Sequence, residues 1–403
     1  MARSPLTLAA TVTSALREAS VVDVRVLTEN AAGRFDSAVA TLADGDSVVV
    51  RAATDAETSA ELGGEARALS ALTDGVRSLL PFRAPRLRGR AAQGGWTAIV
   101  VDHLDGYRVD AAHLPAGRGA ATSIGAAIAA VHALPESVAR GAALPQLGAP
   151  QVRDDVSRLL DRVATVHRVP VSLLSRWSRA LAEERLWRFE STLTLGGATA
   201  ESFLVEERDG VPTVTGLLTW QGLGVGDPAV DLRWLSSAPD AADDVLAAYL
   251  AASVRTPDAA LRTRSRLYAE LEFAKWLVHG RDSGDDEILD DAVALLTSLA
   301  ESVVEDDLLA EDDLDVDAAI ALIGHVPNAT APQIDTSMQT DAYDAGDGLF
   351  FADDEPGPAE AGPQSDEQST APLALSDWVA DDAGDDTDAD RAAAAALKRW
   401  ASS

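Results

Sequence analysis

Two aspartates in the segment GLGVGDPAVDL, Asp227 and Asp231, are the acidic side chains whose spacing could serve chemistry. Because they are four residues apart, they lie about one helical turn from each other. Asp227 directly precedes Pro228, and a proline in the first turn is typical after an N-cap residue. We therefore interpret Asp227 as a helix cap and Asp231 as a side chain that ties this helix to a neighbouring loop, with catalysis as the alternative.

A second segment, LTLGGATAESFLV (193–205), leads into two apolar runs separated by Asp209-Gly210, a pair that predicts a β-hairpin. The hairpin would bring Ser202 close to Thr219. Hydroxyl groups lack the anionic oxygen that a hard divalent cation prefers, so the pair could at best hold a water molecule. Glu201 should point away from the Ser202 side, because neighbouring residues in a strand alternate between faces.

The charge is uneven along the 403 residues. The formal net charge is −32, and residues 301–403 hold 26 of the 65 acidic residues against three basic ones. Nucleic acid and anionic membrane surfaces are therefore not expected as partners. The chain has no cysteine, which excludes disulfides and thiolate metal sites. No stretch is long and apolar enough to cross a bilayer, so we expect a cytoplasmic protein.

The pattern of apolar residues predicts two different halves before the acidic end. Residues 21–104 give three strands, a helix over about 56–72 and two further strands, with a polar turn at Asn30–Arg34. From about residue 120 the pattern is helical, except for the hairpin. Beyond Glu311 the composition is that of a disordered segment, with a short helix predicted over Asp388–Trp400.

The order of these motifs resembles the aminoglycoside/macrolide phosphotransferase family over roughly residues 10–305. The segments that carry the resemblance are VVVR (48–51), GGEARALSAL (63–72), VVDHLDG (100–106), IGAAIAAVHAL (124–134) and GLGVGDPAVDL (222–232). The resemblance implies an α+β, protein-kinase-like fold of two lobes. It would comprise a small five-stranded N-lobe over 1–104 and a mainly helical C-lobe over 105–310. An acidic, largely disordered tail over 311–403 would follow.

The resemblance also implies where the chemistry of phosphoryl transfer would lie. Placed on the family's loop motif, the position of the catalytic aspartate is Gly197, and the two metal-ligand positions are Ser202 and Thr219. All three chemical groups are lost, so no catalytic residue and no metal site are intact. We do not expect magnesium to bind.

The nucleotide side of the cleft keeps more of the family pattern. Arg51 has the place of the strand residue that reaches the nucleotide phosphates, and Glu65 has the place of its helix partner. The backbone of Asp102 and Leu104 could pair with adenine. ATP or GTP is therefore the ligand that this cleft could take.

Two histidines invite misinterpretation. VHGRD (278–282) looks like a histidine-glycine-aspartate motif, but it ends a helical run and no strand follows, so we interpret Gly280 as a helix C-cap. His132 lies in an apolar helical run and is interpreted as a core or groove residue.

Three functions remain open from the sequence. The first is a catalytically degenerate phosphotransferase-family protein that acts by binding. The second is an active ATP- or GTP-dependent O-phosphotransferase with unconventional catalytic groups. The third is a folded platform for the acidic tail, whose terminal helix would bind an unknown protein partner or the chain's own folded part.

Overall fold

The computed structural model describes residues 3–27, 35–93, 96–255 and 258–310. The predicted turn at Asn30–Arg34 and all predictions for residues 311–403, including the terminal helix, lie outside these ranges.

The N-terminal lobe is a five-stranded antiparallel sheet with one helix packed on each face. The strand order is β1-β2-β3-β5-β4, and the predicted order of three strands, a helix and two strands is confirmed. The elements are α1 (Pro5–Ala15), β1 (Val21–Val26), β2 (Phe35–Leu42), β3 (Ser47–Ala53), α2 (Ala56–Ala71), α3 (Asp74–Arg77), β4 (Leu87–Gln93) and β5 (Trp96–Asp102).

Strand alternation decides what each face of this sheet does. Val48 and Val50 point toward α1 and form a buried apolar core with Leu8 and Val12 of that helix. Arg51 has the opposite parity and therefore points toward α2, where it meets Glu65. One face of the sheet thus stabilises the lobe, and the other presents a cation to the cleft.

The C-terminal lobe is mainly helical, and its hairpin forms at the predicted place. Asp209 and Gly210 have φ of 52° and 74°, the left-handed conformation that a two-residue hairpin turn requires. The elements are α4 (Ala120–His132), α5 (Ser137–Gly141), α6 (Ala149–Ala164), α7 (Val171–Ala182), β6 (Thr192–Thr194), β7 (Phe203–Arg208), β8 (Val211–Leu217), β9 (Gly224–Gly226), α8 (Ala242–Ala252), α9 (Leu261–Ser283) and α10 (Asp286–Ser302).

Short 3-10 segments connect these elements. They span Ala111–His113, Glu184–Trp187, Ala200–Ser202 and Pro228–Ser237. No helix in the described ranges is both long and apolar enough to cross a membrane.

The hairpin also fastens the two lobes to each other. Tyr107, in the segment that leaves β5, exchanges backbone hydrogen bonds with Val205 of β7 at 3.0 and 2.8 Å. On the other side, Arg83 of the N-terminal lobe pairs with Gly216 of β8. The hairpin therefore contacts the N-terminal lobe through Arg83 and the segment that follows β5 through Tyr107.

The interpretation of Gly280 as a helix C-cap is wrong. Helix α9 continues to Ser283, and Gly284 ends it with a φ of 68°. Gly280 lies inside the helix because α10 packs closely there: a Cβ on Gly280 would lie 2.7 Å from the backbone nitrogen of Leu289. The glycine signals a close helix crossing, and VHGRD is part of a helix, as expected.

Candidate functional site

The loop that follows β6 places Gly197 in a conformation that other residues rarely adopt. Gly197 has a φ of +114°. A Cβ built on it would overlap the guanidinium group of Arg233, with Nη2 2.5 Å away and Nη1 and Cζ closer still. The volume into which any side chain at position 197 would project is thus already filled by a cation.

Arg233 is a residue of this candidate site that the sequence analysis missed. It lies two residues after Asp231 in the 3-10 segment Pro228–Ser237, and its side chain is 21% exposed. The available signal was indirect: if Asp231 reaches the loop, a long side chain two residues later also lies near it. The local sequence could not show that this side chain occupies the space beside Gly197.

Arg233 shares one carboxylate, that of Glu272, with Lys275. Its Nε lies 3.5 Å from Oε1 of Glu272, which also accepts a 2.7 Å contact from Lys275. Partial burial raises the pKa of the Glu272 carboxyl, but the charges of Lys275 and Arg233 outweigh this and lower it. The cluster therefore holds two cations against one carboxylate.

Asp231 anchors the loop from below. Its side chain is fully buried. Oδ1 accepts hydrogen bonds from the amides of Gly197 at 2.6 Å and Ala198 at 3.3 Å, and Oδ2 accepts from the amide of Leu195 at 2.6 Å. Burial raises the pKa of Asp231, but the bonds from His132 and from these amides lower it below its usual value. These contacts are those of a structural tie between the helical segment and the loop.

His132 completes this buried network. Its Nε2 lies 3.0 Å from Oδ2 of Asp231, and its Nδ1 lies 3.0 Å from the hydroxyl of Tyr249. The ring is 5% exposed and meets the Tyr249 ring edge-on. The structure thus places His132 in the core under the loop.

Asp227 forms a second buried network next to the first. Its Oδ1 accepts from the amide of Ala229 at 2.9 Å, which is the N-cap contact expected for it. The same carboxylate binds Arg264 at 2.6 and 3.0 Å and the Tyr268 hydroxyl at 2.6 Å. With its oxygens committed to these groups, Asp227 holds the 3-10 segment against α9.

The two positions where metal ligands would lie are close together but carry only hydroxyls. The amide of Leu218, next to Thr219, donates to the carbonyl of Ser202 at 2.9 Å. Oγ of the buried Ser202 accepts from the amide of Thr199 at 3.1 Å. Glu201 is exposed and Ser202 is buried, but both lie in the 3-10 segment Ala200–Ser202, so the strand alternation expected for them does not apply.

This donor set does not fit magnesium, which prefers carboxylate oxygens and retained water. Across residues 3–27, 35–93, 96–255 and 258–310, no group of three or more histidine, aspartate and glutamate side chains could hold a metal ion.

On the nucleotide side, Arg51 and Glu65 form an ion pair. Nη1 of Arg51 lies 2.5 Å from Oε2 of Glu65, and the guanidinium stacks 4.5 Å above the Phe35 ring. Arg51 is 24% exposed, whereas Glu65 is 4% exposed. Burial raises the pKa of Glu65, and Arg51 offsets part of that rise. The pair leaves the guanidinium edge accessible.

The segment after β5 has its own constraints. The side chain of Asp102 accepts from Nη1 of Arg88 at 3.0 Å and from the amide of Arg86 at 3.1 Å. Leu104 is buried, and its Cδ1 lies 3.2 Å from the Cβ position of Gly216. Both side chains therefore hold the segment to its neighbours, which leaves only backbone groups for a ligand.

The chain was compared with known proteins. A sequence model described as the phosphotransferase enzyme family matches residues 26–268, which is more than half of the chain. A search of curated proteins gave no significant match.

Solved structures resemble the fold over most of their own length. The macrolide 2′-phosphotransferase MphH from Brachybacterium faecium is 23% identical, with a TM-score of 0.59, over 72% of this chain and 97% of that one. A macrolide 2′-phosphotransferase type I is 24% identical, with a TM-score of 0.57, over 73% and 98%.

An aminoglycoside 2′-phosphotransferase-IIIa, solved with GDP, is 16% identical, with a TM-score of 0.59, over 74% and 99%. At these identities the structures show the fold alone. Together with the family match, the two-lobed structure and the loop between β6 and the hairpin identify this chain as a member of the phosphotransferase enzyme family.

Proposed function

We propose that this chain is a catalytically degenerate member of its family that acts by binding. The observation that carries the proposal is the guanidinium of Arg233 in the space beside Gly197. A guanidinium stays protonated in proteins and has no acceptor site. It therefore cannot take a proton from an acceptor hydroxyl, which is the task of a general base at this position.

The loss of metal ligands supports the same proposal. Phosphoryl transfer depends on positioning and on neutralising the negative charge of the phosphates. The metal ions provide much of that neutralisation. Ser202 and Thr219 offer two hydroxyls, and the one at Ser202 already accepts a backbone hydrogen bond. Both observations support the proposal that the cleft lacks the base and the metal anchor of a phosphotransferase.

The ligand that the remaining groups favour is an anionic one. Arg51 keeps an accessible guanidinium edge on the nucleotide side, and Arg233 puts a second cation at the former position of the base. A nucleoside phosphate such as ATP or GTP has the matching charge. Its binding would rest on arginines and would not require magnesium.

Calorimetric titration of ATP and GTP tests this proposal, once with magnesium and once with EDTA. We expect weak binding with the same affinity in both buffers. Arg51→Ala should weaken that binding. Arg17→Ala, at an exposed arginine with no ion-pair partner in the described ranges, is the matched control and should leave it unchanged. Tight binding that EDTA removes would contradict the proposal.

An active O-phosphotransferase with unconventional groups is the second candidate. One observation favours it: the Arg51–Glu65 ion pair is assembled, as a working nucleotide site of this fold requires. This candidate predicts turnover that disappears in Arg51→Ala, whereas the first predicts none in either protein.

A further inference from the structure

A cavity of about 540 Å³ opens between the lobes, separate from the loop at Gly197. The N-terminal lobe contributes α2, α3 with its N-cap, and β4, and the C-terminal lobe contributes α5 and the residue after it. The lining residues are Arg67, Ser70, Ala71, Thr73, Val76, Arg90, Ser137, Val138, Gly141 and Ala142. The volume is in the range of ligand-binding cavities, and no acidic residue lines it.

The two arginines of this cavity have no ion-pair partner in the described ranges. Many other arginines are paired, as Arg176 is with Glu270 and Arg264 with Asp227. The guanidinium of Arg67 lies beside Gly63 and Gly64: Cβ atoms built on these glycines would be 3.8 and 3.9 Å from its nitrogens, which is ordinary van der Waals contact.

A third arginine enlarges this basic surface. Arg140, on α5, is exposed next to the lining residue Gly141 and also has no ion-pair partner in the described ranges. A cluster of unpaired cations is unusual in a chain with a net charge of −32. Its charge is complementary to an acidic ligand.

We propose that this arginine cavity binds the chain's own acidic segment Asp381–Asp390. This segment, DDAGDDTDAD, has six aspartates in ten residues and no basic residue. The chain between Leu309 and Asp381 has a maximum span of about 240 Å, so the segment can reach any part of the surface.

Weak contacts are sufficient for this binding because the acidic segment is part of the same chain as the arginine cavity. A single exposed arginine–aspartate pair contributes little, since water and salt screen it. A segment on the same chain, however, is present at a high effective concentration, and several pairs form together. The contact should therefore be intramolecular and sensitive to salt.

The absence of cysteine in the chain allows a clean test. Two cysteines are introduced, Ser78→Cys beside the cavity but not in its lining, and Ala383→Cys in the acidic segment. Each carries a nitroxide label. Double electron–electron resonance then measures the distance between the two labels in the full-length protein. The test variant is Arg67→Glu with Arg90→Glu. The matched control is Arg17→Glu with Arg208→Glu, two exposed arginines that also have no ion-pair partner in the described ranges.

We expect a population of short distances at low salt. It should disappear in high salt and in the Arg67→Glu/Arg90→Glu protein but persist in the control pair. A broad distribution that none of these changes affects would overturn the proposal. Saturable binding of inorganic phosphate in the cavity, with no short distance between the labels at Ser78→Cys and Ala383→Cys, would also overturn the proposal. It would identify a small anion as the occupant.

Discussion

Replacing Asp231 with asparagine tests whether one buried carboxylate holds the loop at residues 195–198 in place. Both oxygens accept backbone amides: Oδ1 from Gly197 and Ala198, and Oδ2 from Leu195. Asparagine has one oxygen, so either orientation of its amide puts an NH₂ group against at least one backbone N–H. The variant therefore loses charged hydrogen bonds and leaves a buried donor without an acceptor.

The expected cost follows from these contacts. A hydrogen bond to a charged group contributes about 1.5–3 kcal/mol, and breaking a buried charged network costs about 3–5 kcal/mol. We expect Asp231→Asn to lower the free energy of unfolding by about 3–5 kcal/mol at pH 7, because it breaks a buried charged network. Urea denaturation followed by tryptophan fluorescence measures this change. Asp240→Asn, at an exposed aspartate with no ion-pair partner in the described ranges, should change it by less than about 0.5 kcal/mol.

The pKa shift of Asp231 determines the direction in which the stability difference between wild type and Asp231→Asn changes with pH. The pKa of Asp231 is lower in the folded protein than its usual value of 3.8. Its stabilisation is therefore present above that value and is lost as the pH falls through the lower, folded pKa. The difference between the wild-type protein and Asp231→Asn should shrink below about pH 4. Equal stability at pH 7, or a difference that does not change with pH, would refute the reasoning.

Two further substitutions test the cleft. Arg51→Ala should cost about 3 kcal/mol of unfolding free energy at pH 7, because it leaves the buried Glu65 carboxylate without its partner. Arg51→Ala with Glu65→Gln should cost less than Arg51→Ala alone in the same urea assay, and additive losses would contradict the pairing. Gly197→Ala should cost about 1–3 kcal/mol because of its φ of +114°. Adding Arg233→Ala should recover little of that loss, because the guanidinium is the end of a flexible side chain that can move aside. A Gly197→Ala protein as stable as wild type would show that the loop has another conformation.

The sheet and the hairpin could be predicted from sequence because local patterns determine them. Short apolar runs bounded by turn residues predicted the strands of the N-terminal lobe, and Asp209-Gly210 predicted the turn. Asp227 with Pro228 gave the cap, although the element that follows is a 3-10 segment (Pro228–Ser237). The sequence pattern did not define the end of α1, which stops at Ala15 because Leu16 leaves the helical conformation, with φ −121° and ψ 85°.

The loss of chemical groups from the site could be predicted from sequence, but the side chain that lies beside Gly197 could not. Placed on the family's motif, the residue types at 197, 202 and 219 predict that the base and the metal ligands are missing. The overlap of Arg233 with position 197 joins residues 36 apart in the chain, and it depends on how a 3-10 segment and a loop pack together. No periodicity in the sequence reports such a contact. For the same reason, α3 and the arginine cavity emerge only from the structure.

The transfer of labelled γ-phosphate from ATP and GTP to a panel of macrolides and aminoglycosides tests the central claim most directly. The wild-type protein and Arg51→Ala are assayed side by side with magnesium present, against a control without protein. If Arg233 replaces the base and no group anchors the metal, neither protein will form phosphorylated product above the control. Turnover by the wild-type protein that Arg51→Ala abolishes would show that the cleft is a working active site and that this account is wrong.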